Sequence, residues 1–140
     1  MITQTMTYKD FDGLERTETF YFNMTEAEIM NWQNSVSGGM SARIEKIAKA
    51  NDAQEVLRLL MEVIDKSYGV KSPDGRRFVK NEAVLEEFKS TQAYSDFCVW
   101  LLDKPENALD FLNRLIPEKL QKAAAEAAQN STNAVLMPVT

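Results

Sequence analysis

Between Ile2 and Asn23, threonines and aromatics interleave around "KDFDGLER", and in "TFYF" the residues Phe20 and Phe22 fall on one side while Thr19 and Tyr21 fall on the other. Alternation of that kind is the period of a strand. Asp12-Gly13 supplies the turn, because glycine accepts a positive φ, so the spacing predicts two antiparallel strands over about 3–9 and 15–22. A lone hairpin is marginal in water, and its aromatic face needs helices or another chain to rest on.

From Thr25 onward the period changes to that of helices. "NMTEAEIM" carries a capping box, Thr25 with Glu28 three residues on, and Met24 and Ile29 have the spacing of a hydrophobic staple. These predict a helix from Glu26 to about Asn34, which "SVSGG" then breaks as a loop and plausible hinge. Ser41 can cap a second helix reaching about Ala50, and Asp52 with Glu55 starts a third over Ala53–Tyr68. There Val56, Leu57, Leu60, Val63, Ile64 and Tyr68 recur at helical spacing, widened by Leu59 and Met61, which marks the centre of the core.

Gly69 suits a left-handed helix end, and Pro73-Asp74-Gly75 a turn within a connector. Asn81 caps a helix over 82–89 with Val84, Leu85 and Phe88 inward; Thr91 starts another that aligns Tyr94, Phe97, Cys98 and Leu101. Pro105 fits the first turn of a further helix in which Leu109, Leu112, Leu115 and Ile116 keep the period. After Pro117, "EKLQKAAAEAAQ" has high helix propensity and almost no large apolar residue, so 118–140 reads as an alanine-rich solvated helix with a flexible tail. The fold class expected is α+β, mainly α: an N-terminal hairpin (2–23) packed on a bundle of short helices (26–117), one domain in all.

Composition narrows the chemistry. The 140 residues suffice for one ordinary core, 44% of them are hydrophobic, and 21 acidic against 16 basic groups give a net charge of -5, which disfavours nucleic acid as a partner. No apolar run reaches the roughly 20 residues that cross a bilayer, and "MITQTMTYKD" lacks the features of a signal peptide, so no membrane partner and a cytosolic location are expected. With no histidine in the chain, the single cysteine, Cys98, has no imidazole partner for nucleophilic work; it reads as a small core residue. The carboxylate pairs Asp10/Asp12, Glu26/Glu28 and Glu86/Glu87 fall in a turn, a helix start and an exposed helix face, none with the spacing of a calcium loop. Neither an enzyme, a cofactor nor a metal site is expected.

Candidate partner-binding residues remain. Arg76 and Arg77 in "KSPDGRRFVK" lack the spacing of a phosphate-cradling loop; they can pair with Asp74, Glu82, Glu86 and Glu87, or present planar donors to a partner's carboxylates or carbonyls. Met24, Met30 and Met40 bracket the first helix and the glycine loop, with Trp32 among them. Flexible thioethers either fill a core or line surfaces that accept varied apolar helices.

Two stretches, "YKDFDGLERTETFYFNMTEAEI" and "KSYGVKSPDGRRFVKNEAVLEEFKSTQAYSDF", resemble the tail assembly chaperones of long-tailed bacteriophages, in particular those with flexible, non-contractile tails infecting Gram-positive bacteria. The resemblance spans about Thr7 to Pro117. It implies a non-enzymatic protein of the host cell cytoplasm that binds the tape-measure protein, keeps it soluble, recruits tail-tube protein and leaves before the tail is complete. It also implies, in many members, a longer product made by ribosomal frameshifting. Two other readings stand beside it: a structural tail or connector component of the virion, suggested by hairpin edges that can add to a neighbour's sheet, and a small nucleic-acid-binding regulator using Lys71, Arg76, Arg77 and Lys80. A homo-oligomer is expected if the hairpin face is not covered internally.

Overall fold

The computed structural model describes residues 1–35, 38–50 and 52–115. In chain order its elements are β1 (Ile2–Lys9), β2 (Glu15–Phe22), α1 (Glu26–Gln33), α2 (Gly39–Ala50), α3 (Ala53–Ser67), β3 (Tyr68–Lys71), β4 (Phe78–Val79), α4 (Glu82–Lys89), α5 (Gln92–Asp103) and α6 (Pro105–Leu115). This is an α+β fold, mainly α. The described residues fall into two compact units, one made of Met1–Met24 and Leu57–Leu115, the other of Thr25–Val56. The alanine-rich segment expected over 118–140 lies outside the described residues.

The first unit is built on a four-stranded antiparallel sheet in the order β1-β2-β3-β4. Its first hairpin closes through Asp10, whose N–H donates to the Leu14 carbonyl at 2.9 Å and whose own carbonyl accepts from Gly13 at 3.0 Å. Gly13 takes φ +80°, the left-handed turn position that the Asp12-Gly13 pair foretells. Alternation does the rest: Ile2, Tyr8, Phe20 and Phe22 are buried on one face of β1 and β2. The threonines turn the other way, and Thr5–Thr19 and Thr7–Thr17 hydroxyls touch at 3.0 Å.

Three helices supply what the hairpin alone lacks. Phe22, fully buried, stacks on Phe97 of α5 at 5.1 Å and meets Phe111 of α6 edge-on at 5.4 Å, while Phe88 of α4 stacks on Tyr68 at 4.2 Å. Asn81 and Thr91 cap α4 and α5 with their side-chain oxygens, as their sequence positions predict. α6 differs from expectation. Leu109 is exposed and Phe111 is buried, because the helix presents its largest ring to the Phe22–Phe97 cluster.

The largest correction falls between Tyr68 and Lys80. Instead of a helix end and a connector, the chain forms a second hairpin that extends the sheet. Asn23 N–H donates to the Ser67 carbonyl at 2.8 Å and Ser72 N–H to the Arg77 carbonyl at 2.8 Å, which register β3 against β2 and β4. Tyr68 thus opens a strand; α3 stops at Ser67, whose hydroxyl bonds back to the Val63 carbonyl at 2.7 Å. Gly69 is not left-handed. A Cβ there would stand 2.6 Å from the Phe78 ring, so close packing, not a turn, is what requires glycine.

In the second unit, Thr25 and Glu28 form the expected capping box: Glu28 N–H donates to Thr25 Oγ1 at 3.2 Å, and Thr25 N–H to Glu28 Oε1 at 2.9 Å. α2 begins at Gly39, earlier than a Ser41 cap would place it, and the Gln33 side chain reaches back from α1 to accept from Met40 N–H at 2.8 Å. Asp52 Oδ1 accepts from Gln54 and Glu55 at the start of α3.

Candidate interaction surface

The arginine loop is a hairpin turn held from within. Ser72 Oγ donates to Asp74 Oδ1 at 2.6 Å and accepts from Arg77 N–H at 3.0 Å, while Arg76 N–H donates to the same Asp74 oxygen at 3.1 Å. These donors, the Ser72 hydroxyl foremost, hold the Asp74 carboxyl below the usual range. Arg76 makes a loose 3.9 Å ion pair with Asp74, and both arginines are exposed. Such a pair contributes less than about 1 kcal/mol. The basic residues are instead spent locally: Lys80 Nζ caps α3 by donating to the Lys66 carbonyl at 2.7 Å, and Lys71 lies 4.4 Å over the Tyr21 ring.

The six residues singled out in the sequence are divided between the two units. Met24, Arg76 and Arg77 belong to the first unit, and Met30, Trp32 and Met40 to the second. Met24, Trp32 and Met40 are buried, whereas Met30 is exposed along with the two arginines. Of the carboxylate pairs, Asp10 and Glu28 organise local backbone, and Glu86 and Glu87 sit exposed on α4. Among the described residues no three His, Cys, Asp or Glu side chains are grouped to hold a metal ion, and no helix is long and apolar enough to cross a membrane.

A different apolar set is exposed on the first unit. Phe11 and Leu14 stand at the tip of the β1–β2 hairpin, with Phe11 77% exposed; Val99, Trp100 and Leu102 lie on α5, and Leu109 on α6. The tip is rigid. Asp10 Oδ1 accepts from the N–H groups of Asp12 and Leu14, both at 2.9 Å, and Oδ2 pairs with Arg16 at 2.7 Å, which together lower its pKa, the arginine most. One signal for the α5 residues was in the sequence: "FCVWLL" is apolar on every side of its helix, more than one buried face can absorb.

Beneath the hairpin, Tyr8 donates its hydroxyl to Glu18, and a cleft of about 270 Å³ opens between these residues and Glu87, Ser90 and Gln92. The hydrogen bond to the carboxylate, helped by burial, raises the Tyr8 pKa from 10.0 to about 12. A phenol whose folded pKa lies above its unfolded value stabilises the fold fully below the latter and loses that contribution as pH rises through the former. Stability measured by denaturant should therefore fall between pH 10 and about 12, and the Tyr8→Phe variant should lose that part of the fall. A Tyr8 phenolate forming at the ordinary pH would show that Glu18 does not hold it. Burial also raises Tyr68, Tyr94 and Cys98, so the half-buried thiol is kept protonated.

Compared with known proteins, the chain matches the family model described as phage tail assembly chaperone over residues 1–137. No curated protein and no solved structure matches it.

Proposed function

The chain belongs to the phage tail assembly chaperones, and from that premise we propose that it binds the tape-measure protein in the host cell cytoplasm, keeps it soluble and brings tail-tube protein to it. The observation that carries this reading is the family match along residues 1–137. The exposed apolar side chains of the first unit agree with it, since a long amphipathic helix aggregates through the kind of face that Phe11, Leu14, Val99 and Leu109 can cover. Chaperone membership also supports a role in which no bond is made or broken. Binding through a few exposed side chains suits release, because many weak sites on a long partner reinforce one another while each stays reversible.

Co-expression tests the reading directly. The tape-measure protein should move from the insoluble to the soluble fraction when this chain is present and should co-purify with it. Purified mature particles should lack the chain by mass spectrometry. A tape-measure protein that is equally insoluble with and without it, or stoichiometric retention in particles, would overturn the proposal; the second result would instead favour a structural component of the virion.

A further inference from the structure

The two edges of the sheet are unlike. β4 is two residues long and lies between Arg77 and Lys80, whereas β1 is eight residues long, pairs with β2 without a bulge, and carries its one charged residue, Lys9, at the end. Proteins usually blunt a long edge with proline, lysine or a bulge, because its unpaired backbone groups template another strand. β1 has none of these before its last residue.

Which groups face outward follows from the turn. Asp10 N–H bonds the Leu14 carbonyl, so that pair is hydrogen-bonded, and alternation makes Tyr8, Met6 and Gln4 the positions bonded to β2. Lys9, Thr7, Thr5 and Thr3 are then non-bonded positions. The 3.0 Å hydroxyl contacts of Thr5 with Thr19 and Thr7 with Thr17 agree, since side chains lie closer at such pairs. The N–H and C=O groups of Thr3, Thr5 and Thr7 therefore point away from β2, and among the described residues no strand receives them.

We infer that β1 pairs antiparallel with β1 of a second copy about a two-fold axis through Thr5, joining the two sheets into one. In this register Thr5 faces its own counterpart and Thr3 faces Thr7 of the partner subunit, so outward-pointing groups meet outward-pointing groups. The threonine rows of β1 and β2 run on across the join, and on the other face the half-buried Gln4 and Met6 come opposite one another. Lys9 comes opposite Met1 of the partner subunit, so no like-charged side chains are opposed. That self-complementarity selects a second copy over an unrelated strand. A cleft of about 560 Å³ lined by Thr7, Lys9, Gln92 and Asp96 lies beside the end of β1 nearest the turn.

The inference stands apart from the identity of the tail protein bound, and Thr5→Pro tests it on the full chain. Proline there removes a donor from the join and none from the β1–β2 ladder. By light scattering, the mass should rise with concentration from 15.9 kDa toward twice that value, and Thr5→Pro should weaken association about tenfold or more by removing one hydrogen bond from each side. Its melting temperature should stay near wild type, whereas Met6→Pro, which breaks the internal ladder, should lower it. In a Cys98→Ser background, oxidation of the Thr5→Cys variant should link two copies through residue 5, seen as a cross-linked peptide, while Thr17→Cys should not. A mass that stays at 15.9 kDa at every concentration, association unchanged by Thr5→Pro, or equal cross-linking of the two cysteine variants would overturn it.

Discussion

Phe22→Ala should cost about 3–5 kcal/mol, the range for deleting a large buried ring where neighbours cannot collapse into the space. Phe22 is fully buried and touches Tyr68, Phe88, Phe97 and Phe111, rings contributed by one strand and three helices. No single element can move to fill the hole without leaving another. Since a small domain holds only about 5–15 kcal/mol in total, the variant should be marginally folded at 25 °C and its denaturant midpoint should drop steeply. Phe22→Leu, which keeps most of the volume, should cost less than half as much. A loss below about 1 kcal/mol for Phe22→Ala would mean that the aromatic cluster is not the centre of this unit.

Gly69→Val should be the next most damaging change, at about 2–3 kcal/mol, by overpacking. The cause is specific: the new Cβ would meet three atoms of the Phe78 ring within 2.9 Å, and Phe78 is one of the two residues of the short β4, opposite Lys71 of β3. The backbone at Gly69 is ordinary strand, so no strain comes from φ. A double-mutant cycle separates the two explanations. In a Phe78→Ala background the Gly69→Val penalty should shrink to a small fraction. If it persists at full size, the conformation of the backbone and not the ring is what glycine serves.

That glycine shows where sequence reasoning lost the thread. Apolar positions of α3 continue through Ile64 to Tyr68, four residues on, which is the next position of a helical stripe and equally the first residue of a strand. β3 and β4 are four and two residues long, too short for a period of two to register against that of a helix. The turn itself, Pro73-Asp74-Gly75, was legible because its residues carry their own dihedral preferences, yet nothing local tells whether such a turn joins strands or loops. The first hairpin, the capping box at Thr25 and the caps at Asn81 and Thr91 were readable for the same reason: each is decided by neighbours within a few residues. Leu109 and Phe111 illustrate the opposite case. Two apolar stripes compete on α6, and only the ring cluster it meets selects one.

The candidate surface was less legible than the fold. Methionine and arginine identity suggested contacts, but burial of Met24, Trp32 and Met40 depends on packing that composition does not encode. Exposure of Phe11 follows from its place at the turn, which no local pattern gives, and the outward direction of the Thr5 backbone becomes readable only once the register with β2 is known.

Strands β2 and β3 are adjacent in the sheet yet separated by residues 23–67, which carry three helices. During synthesis the amino-terminal hairpin therefore emerges long before the strand and the helical rings that will cover it, and closing that intervening loop carries an entropic cost that local pairing does not. Until α4, α5 and α6 leave the ribosome, Phe20 and Phe22 stay in contact with water. A chaperone of this construction begins its own life as a sticky client, until residues 82–115, about 110 Å of extended polypeptide, have followed.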